Sequence, residues 1–217
     1  VPSSHPSPLE RELRQSLRGQ VRFGAHDRTL YATDASPYQV QPLGVVVPAD
    51  LDDVAAAVAT CARRGAALLA RGGGTSLAGQ CTNQAVVIDL TGFCRRIVSV
   101  DPAKQLCEVE AGMGIDELNR QLVTMASGLF FAPDPATVAQ AAIGGCIGNN
   151  AAGSHSIVYG RTSENLAGVH LLLPTGERVW LEPGAGRRDA VALRLAKEVA
   201  AIVSREADRI RTRFAKT

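Results

Sequence analysis

Apolar residues fall at helical spacing in four stretches of this chain and crowd into short unbroken runs between them, and that change of period predicts its elements. Ser7, Pro8 and Glu10 make a helix start: a hydroxyl cap, a proline at the first position and an acid three residues after the cap. Leu9, Leu13 and Leu17 then form one stripe that Gly19 ends, so this helix is expected to dock by one face. Gly44 to Pro48 reads as the first buried strand. Asp50 can cap a helix from Leu51 to Arg64, along which Leu51, Val54, Ala55, Val58 and Cys61 keep helical spacing and Gly65 supplies the stop. Ala66 to Ala70 is the next strand. Strand, helix, strand is a βαβ unit, which requires parallel strands joined by a right-handed crossover.

Ala85 to Leu90 is a third buried strand. Arg96 to Val100 and Leu106 to Ala111 are two more, separated by the turn at Asp101-Pro102-Ala103-Lys104. Gly112-Met113-Gly114 leads into a helix from Ile115 to Ser127, with Ile115, Leu118, Leu122 and Met125 on one face and Gly128 after it. Leu166 to Leu173, a turn at Pro174-Thr175-Gly176-Glu177 and Arg178 to Leu181 read as a hairpin. A basic amphipathic helix from about Asp189 carries Leu195, Val199 and Ile202. Small residues dominate Ala139 to Gly153. Either this backbone lies close to something flat, with the amides of Asn149 and Asn150 beside it, or an Ala/Gly helix packs tightly on a neighbour.

At 217 residues and 46% hydrophobic, the chain can bury a core as one domain or as two small joined subdomains. A net charge of +2 with mixed signs gives no basic face for nucleic acid. No apolar run reaches the roughly 18 residues of a membrane span. Val1-Pro2-Ser3-Ser4-His5 has neither the basic nor the apolar part of a signal peptide, and with no initiating Met the chain reads as a trimmed piece. Cys61, Cys81, Cys94, Cys107 and Cys146 are widely spaced and odd in number, as for reduced thiols in a cytoplasmic protein. The four histidines form no i, i+4 pair, so no metal site is assigned.

The chemistry concentrates where the strand Ala66 to Ala70 runs into Arg71-Gly72-Gly73-Gly74-Thr75-Ser76-Leu77-Ala78-Gly79. Glycines admit the positive-φ conformations that turn successive N–H groups toward one point, Thr75 and Ser76 add hydroxyls, and Arg71 adds charge, so a phosphate or pyrophosphate is the natural guest. It is not a Walker loop: Gly74 and Gly79 have the spacing, but Gln80 and Cys81 replace the lysine and hydroxyl. Nor is it a Rossmann fingerprint, since Leu77 stands at the third glycine. A Gly-rich hairpin without a ligand is the alternative.

Taken together, Ala70 to Gly79, Pro133-Asp134-Pro135, Ile143-Gly144-Gly145 with Gly148-Asn149-Asn150-Ala151-Ala152-Gly153, and Tyr159-Gly160-Arg161-Thr162 resemble a known family. It is that of FAD-linked oxidases and dehydrogenases with the vanillyl-alcohol-oxidase or p-cresol-methylhydroxylase (PCMH) type of flavin domain. The likeness covers about Tyr31 to Leu181 and is strongest to the D-lactate, glycolate and D-2-hydroxyglutarate dehydrogenase branch. Tyr31-Ala32-Thr33-Asp34 and the Asn149-Asn150 pair resemble the long members that carry a C-terminal iron–sulfur region.

The resemblance implies an α+β fold, with a small parallel βαβ subdomain (31–92) packed on a second, mainly antiparallel sheet with helices (93–185). An N-terminal helix and lead-in (1–30) would precede it, and 186–217 would begin a missing C-terminal region. It implies FAD, its pyrophosphate held by Arg71, Gly72, Gly73, Gly74, Thr75, Ser76 and Gly79. Pro133, Asp134, Gly144, Gly145, Asn149 and Gly153 would follow the ribityl chain and flavin ring, and Gly160 with backbone near Val169 the adenosine end. Thr75 and Ser76 offer no histidine for a covalent link, so the FAD is expected to dissociate. Ala142 departs from the Thr found in many relatives, and backbone must compensate. On this view Gly73→Val abolishes FAD retention with little loss of folding.

The implied reaction is oxidation of a D-2-hydroxy acid to the 2-oxo acid, with hydride passing to flavin N5, in a cytoplasmic or membrane-peripheral protein with an iron–sulfur region or quinone as acceptor. Substrate contacts would come from a missing C-terminal domain; no catalytic base is assigned, and His155 reads as a solvent-facing or backbone-bonded histidine. Two alternatives stay open: a reductase of the kind that makes UDP-N-acetylmuramate, and a non-catalytic FAD-binding electron-transfer module.

Overall fold

The structure is a computed structural model that describes residues 6–125, 128–183 and 190–214. The chain divides into two compact units, one through Leu166 and one from Ala167.

In the first unit, helix α1 (Pro8–Ser16) begins as its cap predicts, the Ser7 hydroxyl accepting from the Glu10 N–H at 3.1 Å. Its leucine stripe is buried: Leu13 and Leu17 join Val21, Val46, Ala57, Cys61, Val86 and Ile88 in one core. Strand β1 (Gln20–Arg22) and helix α2 (Ala25–Leu30) were not legible from the pattern, both being short and polar. Strand β2 (Gly44–Val47) and helix α3 (Leu51–Arg64) follow the expected bounds, with Asp50 capping the N–H groups of Asp52 and Asp53 and Gly65 left-handed at φ 63°.

The face that α3 buries differs from the expected stripe. Asp53, Ala57, Thr60 and Cys61 point inward while Leu51 is exposed. Asp53 turns that face: its carboxylate accepts from the N–H groups of Gly19 (2.7 Å), Ala49 (2.9 Å) and Arg18 (3.1 Å). Burial raises its pKa, and those three bonds outweigh that and hold the carboxyl below its ordinary range.

Strands β3 (Leu68–Arg71) and β4 (Val86–Asp89) complete a four-stranded sheet in the order β1-β2-β4-β3. β2, β4 and β3 are parallel, as the βαβ pattern requires, and β1 adds an antiparallel edge. The two βαβ strands are not neighbours; β4, buried at every position and apolar at all but its terminal aspartate, fits between them.

A separate antiparallel sheet of this unit is the hairpin of β5 (Ile97–Asp101) and β6 (Leu106–Val109). Met113 packs with Ile115, Leu118 and Leu122 of helix α4 (Ile115–Met125) against Ala141, Ile143 and Cys146, while Met125 at the end of α4 is exposed. The predicted helix end at Ala126 and Ser127 lies outside the described residues. Two short helices, α5 (Ile143–Asn149) and α6 (Ser156–Tyr159), and a 3-10 turn at Thr162–Asn165 finish the unit.

The second unit holds a hairpin of β7 (Val169–Leu172) and β8 (Arg178–Leu181), then α7 (Ala190–Arg205) and α8 (Ala207–Arg213). The expected helix start at Asp189 lies outside the described residues. All five cysteines are free, and burial pushes the Cys61 and Cys94 thiols up to about 11. Among the described residues no helix is long and apolar enough to cross a membrane.

Candidate functional site

The glycine loop leaves the C-terminal end of β3, tied to β4 by the Leu90 N–H donating to the Arg71 carbonyl at 3.2 Å. Gly74 and Gly79 take left-handed φ of 66° and 78°, the conformations for which glycine suits this turn. The polar segment before β2 buttresses the loop. The Ala35 N–H donates to the Gly74 carbonyl at 3.1 Å, and the Asp34 carboxylate accepts from the Ser36 and Cys81 N–H groups at 2.9 and 3.2 Å. Burial raises the Asp34 pKa, but the hydrogen bonds from Ser36 and Cys81 prevail and hold it below the ordinary carboxylate range.

Arg71 is turned into this scaffold. Its guanidinium donates to the carbonyls of Cys81 (3.3 Å) and Tyr31 (3.4 Å) and lies 5.3 Å over the Tyr31 ring. Its charge stays near the loop, while its hydrogen bonds hold the loop's two ends together. The Tyr31 hydroxyl donates to Asp89 at 2.6 Å; burial, then that bond, push the phenol up to about 12.

The second glycine segment lies against the first. A Cβ on Gly72 would come within 2.9 Å of the Ala142 Cβ, and one on Gly73 within 1.9 Å of the Gln140 carbonyl oxygen. The segment is held from its other side by Ile115 N–H to the Ala141 carbonyl (3.0 Å), Ile143 N–H to the Met113 carbonyl (2.8 Å) and Gly144 N–H to the Ala111 carbonyl (2.8 Å). The expected tolerance of Gly73→Val is therefore wrong: the new side chain would meet the chain's own backbone.

What the chain leaves available is polar and lies next to open surface. Among the described residues, none accepts from the N–H of Gly73, Gly74 or Thr75, and the Thr75 hydroxyl has no hydrogen-bonding partner. On α5 a Cβ at Gly145 or Gly148 would meet nothing within 4 Å. The side chain of Gln80 joins the two: Oε1 accepts from the Ser76 hydroxyl and the Ala78 N–H, and Nε2 donates to Asn149 at 3.2 Å. Uncommitted amides beside a face without side chains can take an anionic group attached to something flat.

Pro133, Asp134 and Gly153 form a second cluster. Gly153 passes so close to Asp134 that a Cβ would lie 2.0 Å from its carbonyl oxygen. The Asp134 carboxylate meets His155 Nδ1 at 2.5 Å, the Ser154 hydroxyl at 3.1 Å and the His155 N–H at 3.2 Å. The bond from the His155 ring is the main cause holding the Asp134 carboxyl below its ordinary value. His155 is thus solvent-facing, as expected, and its ring is in addition paired to a carboxylate. Pro133, Asp134 and His155 line a cleft of about 280 Å³ with Asn119, Phe130 and Tyr159, Phe130 and Tyr159 edge to face at 5.7 Å.

In the first unit the loop that carries Arg71, Gly72, Gly73, Gly74, Thr75, Ser76 and Gly79 meets the segment that leads into Gly144, Gly145 and Asn149 at Gly72 with Ala142 and Gly73 with Gln140, and through Gln80 at Asn149. Gly160, at φ 76°, turns the chain beside the Glu164 carboxylate, and Val169 opens β7 in the second unit. Ala142 caps α5 with no side-chain hydrogen bond, so the departure from Thr leaves the cap to backbone. Sequence reasoning missed Gln80 and the buttress of Tyr31, Asp34 and Asp89. A polar side chain directly after the last loop glycine was the available signal for Gln80.

The chain matches the family described as FAD binding domain over residues 42–182. It is 36% identical over 173 residues to the D-2-hydroxyglutarate dehydrogenase of Escherichia coli K12, covering 78% of this chain and 17% of that protein. To the glycolate oxidase subunit GlcD of Bacillus subtilis 168 it is 28% identical over 152 residues, 69% of this chain and 32% of the relative. An alkyldihydroxyacetonephosphate synthase structure superposes with a TM-score of 0.74 at 21% identity, over 85% of this chain and 37% of that one, a likeness of fold. The chain therefore spans a third or less of the length of these two sequence relatives. On the family match, which runs across both glycine segments, this α+β chain belongs to the FAD binding domain family of the p-cresol-methylhydroxylase type, and its cofactor is FAD.

Proposed function

We propose that this chain is the cofactor-holding part of a flavin-dependent dehydrogenase that oxidises a D-2-hydroxy acid of the lactate, glycolate or 2-hydroxyglutarate type to the 2-oxo acid. The observation that carries the reading is the pairing of uncommitted loop amides at Gly73, Gly74 and Thr75 with the open glycine face of α5. A diphosphate fits the first and a planar ring the second. The identity to the E. coli D-2-hydroxyglutarate dehydrogenase supports the choice of substrate class.

In this reading the loop 71–76 with Gly79 binds the diphosphate, its backbone N–H groups and the Thr75 hydroxyl donating to the phosphate oxygens. Arg71 keeps the loop closed against Tyr31 and Cys81 while adding positive charge nearby. Pro133, Asp134, Gly144, Gly145, Asn149 and Gly153 border the ribityl chain and ring, and Gly160 the adenosine end. No histidine adjoins Thr75 or Ser76, so the cofactor is held without a covalent bond. When bound, FAD supplies the redox chemistry by accepting hydride from the substrate α-carbon; this chain binds it, orients it and sets the field on its ring.

Groups that contact the substrate, and the electron acceptor, an iron–sulfur region or quinone, belong to regions beyond this chain. A cytoplasmic location, or one peripheral to the membrane through the electron acceptor, accords with this reading and with free thiols. The purified protein is expected to show the two visible flavin absorption bands and to release its yellow colour on acid precipitation. Failure to take up added FAD overturns the cofactor assignment to these residues. Oxidation of D-2-hydroxyglutarate, D-lactate or glycolate with an artificial acceptor tests the reaction, and a flavin-loaded full-length protein inert toward all three refutes the substrate class.

A further inference from the structure

Gln80 follows the last glycine of the loop with its side chain on the surface, yet both ends of its amide are bonded. Oε1 accepts from the Ser76 hydroxyl and from the Ala78 N–H at 3.1 Å, and Nε2 donates to Asn149 Oδ1 at 3.2 Å. Asn149 Nδ2 in turn donates to the Gly145 carbonyl at 3.0 Å, one turn back along α5. The chain of bonds runs from the hydroxyl arm of the loop to the face of α5 where Gly145 and Gly148 leave room, across a sequence separation of 69 residues.

An amide is the side-chain group this geometry requires. It needs an acceptor toward Ser76 and Ala78 and a donor toward Asn149; a carboxylate offers only the first and an ammonium only the second. Exposed hydrogen bonds add little to overall stability. Their consequence here is local, since the fold beneath is already fixed by Gly72 and Gly73 packing on Gln140 and Ala142. What Gln80 restricts is the Ser76 to Ala78 side of the outer loop, where Leu77 is 77% exposed; the Gly79 carbonyl is held separately by the Thr82 N–H and hydroxyl, both at 3.2 Å, and the Ser76 N–H bonds the Cys81 thiol.

We propose that Gln80 is a positioning residue of the cofactor site: it clips the Ser76 arm of the glycine loop to Asn149, so that the diphosphate-binding and ring-binding halves hold their spacing before the cofactor arrives. This rests on the reading that FAD lies across those two halves. Ordering the loop beforehand removes an entropy cost that binding would otherwise carry, so the clip acts on affinity more than on folding.

The test is titration of flavin-free protein with FAD, followed by flavin fluorescence, for wild type, Gln80→Met, Gln80→Glu, Asn149→Ala and the Gln80→Met/Asn149→Ala double variant, with thermal melts of each flavin-free form. Gln80→Met should bind FAD about tenfold more weakly with an unchanged melting temperature. Gln80→Glu should bind at least as weakly, since it loses the donor and adds negative charge beside an anion site. In the double variant the second substitution should cost less than it does alone, because the clip is already open. Wild-type affinity in Gln80→Met, strictly additive losses, or a melting temperature that falls in step with affinity would each overturn the clip. A wild-type protein that takes up no FAD fails the parent reading itself, and the clip with it.

Discussion

The carbonyl oxygen of Gln140 stands 1.9 Å from the point a Gly73 Cβ would occupy. The missing side chain at 73 is thus demanded by the contact between the two glycine segments, whatever ligand they serve. Gly73→Val should lower the stability of the flavin-free protein by about 2–3 kcal/mol, because the loop must lift off a backbone that cannot yield. Loss of FAD binding then accompanies the loss of stability. A flavin-free melting temperature equal to wild type would show that the loop moves aside without cost.

Gly145 and Gly148 give the opposite case, since a Cβ at either meets no atom of the chain. Gly145→Ala should keep or raise flavin-free stability, by up to about 1 kcal/mol from helix propensity. The same methyl enters the face proposed for the flavin ring, so FAD affinity should drop. Undiminished affinity in both Gly145→Ala and Gly148→Ala would remove the ring from α5.

Tyr31 links the loop to alkaline stability. Its phenol is pushed up to about 12 by burial and by the bond to Asp89. A group whose folded value is raised contributes stability that is complete below its unfolded value, about 10, and is lost as pH climbs through the folded one. Tyr31→Phe should cost about 1–2 kcal/mol near neutrality, from the lost bond to a carboxylate. Denaturant midpoints of the two proteins should converge above pH about 10; a gap that persists to pH about 12 would contradict the assignment.

Asp134 carries the acid counterpart. Its carboxyl is held below the ordinary value, first by the His155 ring and then by the His155 N–H and Ser154 hydroxyl against the opposing effect of burial. A depressed carboxylate contributes stability above its unfolded value and loses it as pH falls through the folded one. Asp134→Asn should therefore be less stable than wild type at neutral pH, the difference shrinking below pH about 4. Melting curves across that range decide it, and a difference independent of pH would mean the charge has no part in holding Gly153 to His155.

Residues alone determined whatever depends on partners within a turn or on an uninterrupted pattern. Ser7, Asp50 and Gly65 mark their helix ends because the cap and the group it satisfies are at most four residues apart. The apolar runs of β2 and β4 declare buried parallel strands, and three adjacent glycines after β3 declare a close approach of backbone to something. Only the folded chain decided what approaches what. That β4 inserts between β2 and β3, that Asp53 rather than Leu51 faces inward, and that Arg71 reaches across to Tyr31 follow from partners 18 to 42 residues away. Gly73 meeting Gln140 and Gln80 meeting Asn149 depend on partners farther off still. Such contacts leave no periodic trace, because each is specified by where two separate segments pack and not by the residues flanking either one.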